Sequence, residues 1–126
     1  MPASGSLNPA RVYGDTIEYV SRWTVGATGA HTKVLGKGFA SVERTAAGEY
    51  KVTFTEVPFG PIVDVRASHW PQVAAEPMVI VACEDGYTAS AKTLLLEAWA
   101  IDDTPARTEI PDGDQVSICV RWLKTV

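Results

Sequence analysis

Between Gly38 and Pro61 the chain reads GFASVERTAAGEYKVTFTEVPFGP, and no other stretch limits the fold so tightly. Tyr50, Val52 and Phe54 alternate with Lys51, Thr53 and Thr55. That period of two sends one set to a buried face and the other to water. The run before it, Phe39 to Arg44, places Ala40 and Val42 on the buried face opposite Tyr50 and Val52, with Glu43 in water. Thr45-Ala46-Ala47-Gly48 between them has the length of a hairpin loop, and Gly48 supplies the residue able to adopt positive φ where the second strand begins. A β-hairpin is therefore expected at the centre of the chain.

The flanking segments repeat the same grammar. From Thr16 to Val25, Ile17, Tyr19, Trp23 and Val25 alternate with Glu18, Arg22 and Thr24, while Val20 interrupts the alternation and Ser21 falls on the apolar side. Lys33 to Gly38 gives a short strand ending in glycines. Ile62 to Ala67 is a strand with Val63 and Val65 inward, and Ser68-His69-Trp70-Pro71-Gln72 is a strand end opening into a loop. Met78 to Cys83 is continuously apolar, as in a strand covered on both faces. Thr93 to Ile101 has leucines and alanines that suit a helix on propensity, but Leu94, Leu96, Ala98 and Ala100 also alternate, and the neighbouring strands decide for β. Gln115 to Leu123 closes the chain with Val116, Ile118, Val120 and Trp122 on one face. About eight strands with turn signals between them predict an all-β antiparallel β-sandwich, jelly-roll-like, over residues 16–126. Residues 1–15, rich in Pro, Ala, Ser and Gly, are expected to be an extended N-terminal arm.

Composition narrows the function classes. A chain of 126 residues buries roughly two thirds of its unfolded surface in one domain, without needing a metal or disulfide. The formal charge of −4, with 11 scattered basic residues, argues against a nucleic-acid partner. No window holds the ~20 apolar residues of a membrane helix, and MPASGSLNPARVYGD lacks the order of a secretory leader, so no membrane partner and synthesis in a cytoplasm are expected. Cys83 and Cys119 sit in apolar runs and are read as small buried hydrophobes.

Chemistry-bearing patterns are sparse. His31 and His69 each lack a second ligand at metal spacing, and there is no nucleophile elbow, so neither a catalytic site nor a cofactor is expected. Glu84-Asp85, Asp102-Asp103 and Asp112-Gly-Asp114 are acidic turns, read as solvated, since none follows a calcium-loop spacing. Trp70, between His69 and Pro71, is either an interface anchor or a cap on one end of the sandwich.

The motif SVERTAAGEYKVTFTEVPFGPIVDV, the later TLLLEAWAID of Thr93 to Asp102, and a Pro-Asp-Gly-Asp turn entering Val116-Ser-Ile-Cys-Val-Arg-Trp122 together resemble a module of tailed-phage virion proteins, over roughly residues 38 to 126. The resemblance implies a small jelly-roll or C1q-like sandwich that assembles as a homotrimer. It implies a head decoration (cement) protein that binds the major capsid protein on the capsid surface of the virion and stabilises the assembled head, made in the host cytoplasm and without enzymatic activity. A tail-fibre head or receptor-binding, lectin-like domain, with Trp70, Tyr87 and the acidic loops as a sugar site, is the alternative. A fibre head would follow a stalk, and the short arm favours decoration. Under that resemblance Leu7, Arg11, Tyr13, His69 and Trp70 are the expected partner-binding residues.

Overall fold

The computed structural model describes residues 15–26, 30–73, 78–101 and 104–124. Among them the alternating stretches form nine strands and no helix: β1 (Thr16–Thr24), β2 (Thr32–Gly36), β3 (Phe39–Ala46), β4 (Glu49–Phe54), β5 (Ile62–Trp70), β6 (Met78–Ala82), β7 (Thr93–Ala100), β8 (Ala106–Arg107) and β9 (Gln115–Leu123). One sheet has the order β2-β1-β9-β5 and the other β3-β4-β7-β6, with β8 alongside β7, and all pairs are antiparallel. The expected antiparallel β-sandwich is the fold. Of the expected arm, Asp15 alone falls among the described residues.

β7 shows why the leucine-rich segment is not a helix. Its two long sides pair with β4 and β6, and period two then buries Leu94, Leu96 and Ala98 while Leu95, Glu97 and Trp99 face outward. Tertiary pairing outweighs a helix preference worth a few tenths of a kcal/mol per residue. The inner faces meet in one core. At its centre Tyr19, Phe39, Phe54 and Trp122 pack with ring centroids 4.7 Å (Tyr19–Trp122), 4.9 Å (Phe54–Trp122) and 5.2 Å (Phe39–Phe54) apart, the tilted and edge-on arrangements aromatic quadrupoles prefer. Ser21 is buried in this apolar face because its Oγ accepts the Trp23 indole N–H at 2.8 Å.

The chain changes sheets between β2 and β3 across Lys37 and Gly38 alone. Only glycine permits that corner. Gly36 has φ +116°, and a Cβ there would lie 2.5 Å from the Val20 carbonyl oxygen. In the central hairpin β3 runs on to Ala46, so the loop shortens to Ala47-Gly48, with Gly48 at φ +71° as its position requires.

Three expected orientations are corrected, two of them by one device. Bulges break the period at Phe39/Ser41, Arg22/Trp23 and Ile62/Asp64. An extra residue in one strand flips every side chain before it relative to those after it. Hence Phe39, not Ala40, faces the core opposite Phe54, Ala40 is exposed, and Val63 is turned out at 49% exposure while Ile62 and Val65 point in. Val34 is the extra residue of β2 and is also outside. The third correction is β6, which is not covered on both faces. It is the last strand of its sheet, and Val79 and Val81 are exposed.

Candidate interaction surfaces

The end of the sandwich where β1 finishes, the upper end, holds two adjoining sets of titratable side chains. Period two in β5 sends His69 inward, and the Pro111–Asp114 turn brings Asp114 to it: Nε2 of His69 is 2.7 Å from Asp114 Oδ2, with both side chains under a tenth exposed. The other carboxylate oxygen accepts the Gln72 backbone N–H at 3.0 Å. Asp114 is therefore a buried structural acceptor and not the solvated turn residue expected. His69 is turned into the same cluster, with its side chain 5% exposed.

A cleft of about 180 Å³ lies nearby, lined by His31, Arg44, Tyr50, Glu109 and Asp112 among others. Burial raises the Tyr50 phenol, whose oxygen accepts the Ile110 N–H at 2.9 Å. Burial also pushes the Glu109 carboxyl up, but hydrogen bonds from Arg44 (2.7 Å) and the Gly48 N–H (2.9 Å) outweigh it and leave the group below its ordinary range. Glu109 thus clamps the hairpin tip. The two histidines stand in separate settings, His31 against the Tyr50 ring at 5.3 Å and His69 on Asp114. Among the described residues no three His, Cys, Asp or Glu side chains converge as a metal site.

The cysteines are half-buried on outward faces rather than in the core, because Ile118 and Val120 take the inward positions of β9 and Ala82 that of β6. They lie on different sheets, so no disulfide joins them. Burial lifts both thiols, Cys119 to about 11 with the Glu18 carboxylate adding to the effect, which removes nucleophilic thiolate at neutral pH.

Among the described residues, Trp70 is the one expected contact residue found on the surface. It ends β5 on the outward face of the first sheet, 48% exposed, and so does not cap the sandwich. Its indole N–H donates to Ser117 Oγ at 3.1 Å, and the Arg22 guanidinium lies 4.1 Å from the ring centroid. Arg22 is held in turn by Gln115 at 2.6 Å. The result is a pre-ordered aromatic and cationic platform, the composition that dominates contact energies at protein interfaces. Leu7, Arg11 and Tyr13 lie outside the described residues. Tyr87 receives the Trp122 indole N–H at 3.4 Å at the opposite, lower end, so it shares no sugar site with Trp70.

The lower end carries a feature the sequence reading missed. Phe59 is 94% exposed on the tip of Val57-Pro58-Phe59-Gly60-Pro61. Two prolines stiffen that loop, and Gly60 packs so closely that a Cβ would meet the Leu123 carbonyl oxygen at 2.3 Å. An aromatic between Pro58 and Gly60-Pro61 was the available signal: it has no strand register to carry it inward. Asp15, from which the N-terminal segment departs, is fixed at this end by the Lys124 N–H donating to its carbonyl. The departure point and Trp70 are therefore at opposite ends of β1 and β5, about 27 Å apart for nine-residue strands.

No family model, no curated protein and no solved structure matches this chain.

Proposed function

We propose that the chain is a structural virion protein of the head-decoration type, which assembles as a trimer, sits on the capsid surface and stabilises the assembled shell by contact without turnover. The observation that carries this reading is where the apolar surface lies. Ten large hydrophobic side chains among the described residues are exposed, from Val81 at 42% to Phe59 at 94%, and they gather on strand faces and the lower end instead of scattering. Val20, Val34 and Leu35 share β1 and β2, Val79 lies opposite Trp99 across β6 and β7 with Val81 two residues on, and Phe59 and Val63 are both toward the lower end. Grouped apolar surface on a rigid scaffold is what contact with other protein requires. The titratable groups, by contrast, are spent on the scaffold: His69 on Asp114, Glu109 on Arg44 and Gly48, the thiols held protonated.

The reading agrees with the sheet edges. A two-sheet sandwich leaves four of them, and association in a ring covers edges that a lone copy must guard with charge and bulges. Contact bound only to the assembled state then stabilises that state by mass action.

The test uses purified full-length chain and empty, expanded heads of the phage that carries its gene. Sedimentation equilibrium is expected to give three copies per particle, and co-sedimentation is expected to show saturable binding to heads and to raise their thermal disruption temperature. A stable monomer that leaves the heads unbound would overturn the proposal.

A further inference from the structure

Of the five arginines among the described residues, four hold a carboxylate: Arg44 on Glu109 at 2.7 Å, Arg66 on Asp64 at 2.8 Å, Arg107 on Glu97 at 3.1 Å and Arg121 on Glu18 at 3.7 Å. Arg22 is the exception. Its Nε donates to the neutral Gln115 Oε1 at 2.6 Å, and the centre of its guanidinium lies 4.1 Å from the Trp70 ring centroid. Strand register explains the shortage. β9 sets Ser117 beside Arg22 and β2 sets Leu35 there, while Val20 and Thr24 are its neighbours on the same face of β1. Glu18, the next carboxylate along that face, is four residues and about 13 Å down the strand, where Arg121 engages it. A guanidinium has five N–H donors, and no acceptor among the described residues meets those on the two terminal nitrogens of Arg22. The side chain is nevertheless half-buried, so part of its hydration is given up for a neutral amide and a ring. An arginine charge so placed is complementary to an anion that the described residues do not supply.

We propose that Arg22 and Trp70 form a carboxylate-binding site, which takes one Asp or Glu side chain of the shell protein together with an apolar neighbour of that residue. The identity of the partner rests on the shell-binding reading above, whereas the chemistry of the site stands on its own. Three features select this ligand. The terminal nitrogens of Arg22 form the planar fork that matches the two oxygens of a carboxylate. That fork is already fixed, by the ring on one side and on the other by Gln115, which is itself oriented by donating to Thr24 Oγ1 at 3.3 Å, so little side-chain freedom is lost on binding. Trp70, 48% exposed and held by the Ser117 hydroxyl, presents apolar surface beside the cation. A polyanion is a poorer match. It requires several cations together, and the other arginines of this sheet, Arg66 and Arg121, are already neutralised. A single acidic side chain is what one unpaired guanidinium can satisfy, and an aromatic next to the pair shields it from water.

The test has two arms, both with the full-length chain. In the first, isotope-labelled protein is titrated with the capped peptide Gly-Pro-Glu-Gly and with its Gly-Pro-Gln-Gly counterpart, and the indole and arginine Nε–H signals are followed by NMR, Trp70→Phe assigning the Trp70 signal. The glutamate peptide is expected to shift the Trp70 indole and the Arg22 Nε–H saturably, the glutamine peptide to bind at least about fivefold more weakly, and Arg22→Gln to abolish the Trp70 shift. Two peptides acting alike, neither acting, or a Trp70 shift that survives Arg22→Gln overturns the proposal. In the second arm, co-sedimentation with empty heads is expected to weaken roughly tenfold or more for Arg22→Gln, and roughly three- to fivefold for Arg22→Lys, which keeps the charge and loses the fork. The urea midpoint of each variant is measured alongside, and Arg22→Lys carries the test should Arg22→Gln fail to fold. Heads that bind the parent and Arg22→Gln equally overturn the proposal and leave the decoration reading standing. A parent that binds the glutamate peptide and no heads overturns the shell as partner, and the decoration reading with it, while the carboxylate site itself is upheld.

Discussion

Asp114→Ala is the substitution whose cost follows most directly from the structure. The Asp114 side chain is buried and accepts from two partners, His69 at 2.7 Å and the Gln72 N–H at 3.0 Å. Its backbone is bonded separately, the carbonyl to the Val25 N–H at 2.8 Å and the N–H to the Pro111 carbonyl at 3.2 Å, and these bonds survive the substitution. What is lost is the carboxylate that ties the end of β5 and the following loop to the turn entering β9. Each orphaned buried partner costs about 1–3 kcal/mol, so the total is roughly 2–5 kcal/mol. At about 3–5 °C per kcal/mol for a domain of this length, Tm falls by roughly 6–25 °C. Asp114→Asn separates hydrogen bonding from charge: its Oδ1 still accepts from Gln72, its Nδ2 donates to a neutral His69, and the cost drops to about 1 kcal/mol. Urea titration followed by tryptophan fluorescence is the assay, with a lower midpoint and an unchanged m-value expected for both variants. An Asp114→Ala protein within about 0.5 kcal/mol of the parent, or an Asn variant less stable than the Ala variant, would refute this account of the turn.

Three further outcomes are expected. Cys119, with its thiol at about 11, carries roughly 0.1% thiolate at pH 8 and should react with iodoacetamide about two hundredfold more slowly than a free cysteine, measured by mass spectrometry of the labelled peptides. Gly36→Ala forces a Cβ into the Val20 backbone at φ +116°, and is expected to cost at least about 2 kcal/mol in urea denaturation, against a few tenths for a Gly→Ala change at an ordinary extended position. Glu109, held below its ordinary value of 4.5, contributes stability that is present above that value and lost as the pH falls through the lowered one. Since Arg44 and Glu109 are 44% and 46% exposed, solvent screening keeps the effect of Glu109→Gln below about 1 kcal/mol at pH 7, and the gap between variant and parent should close as the solution is acidified.

The sequence made the sandwich legible because period two survives along most of each strand. β4, β7 and β9 bury the residues the alternation assigns them, and the hairpin loop keeps its glycine at positive φ. The failures at Ala40 and Val63 share a cause. A bulge is one inserted residue with no compositional mark, so a pattern read locally continues through it in the wrong phase. Asp114 was illegible for a different reason. Its partners, His69 and the Gln72 N–H, are more than 40 residues away in sequence, and a Pro-Asp-Gly-Asp turn looks the same whether its last carboxylate meets water or a histidine. Trp70 was placed at the right element but in the wrong setting, because the Arg22 and Ser117 beneath it come from β1 and β9.

Strand length itself constrains how such a protein meets a larger surface. The exit at Asp15 and the Trp70 platform lie at opposite ends of the same sheet, so a contact made end-on at either place leaves the other remote. Only the outward face of the β2-β1-β9-β5 sheet reaches from one to the other, and along it Val20, Leu35 and Trp70 stand among the Glu18–Arg121 and Asp64–Arg66 ion pairs. An apolar set interrupted by satisfied charges suits a contact that forms and dissolves in water more than a permanently buried one. The outer face of the other sheet has the opposite balance at its β6 margin, where Val79 lies against Trp99 and the cation nearby, Arg107, is occupied by Glu97 at 3.1 Å. If the chain both associates with itself and docks on a shell, the division of labour follows from that contrast: the drier β6–β7 face joins copies, and the Trp70 face is left to the shell.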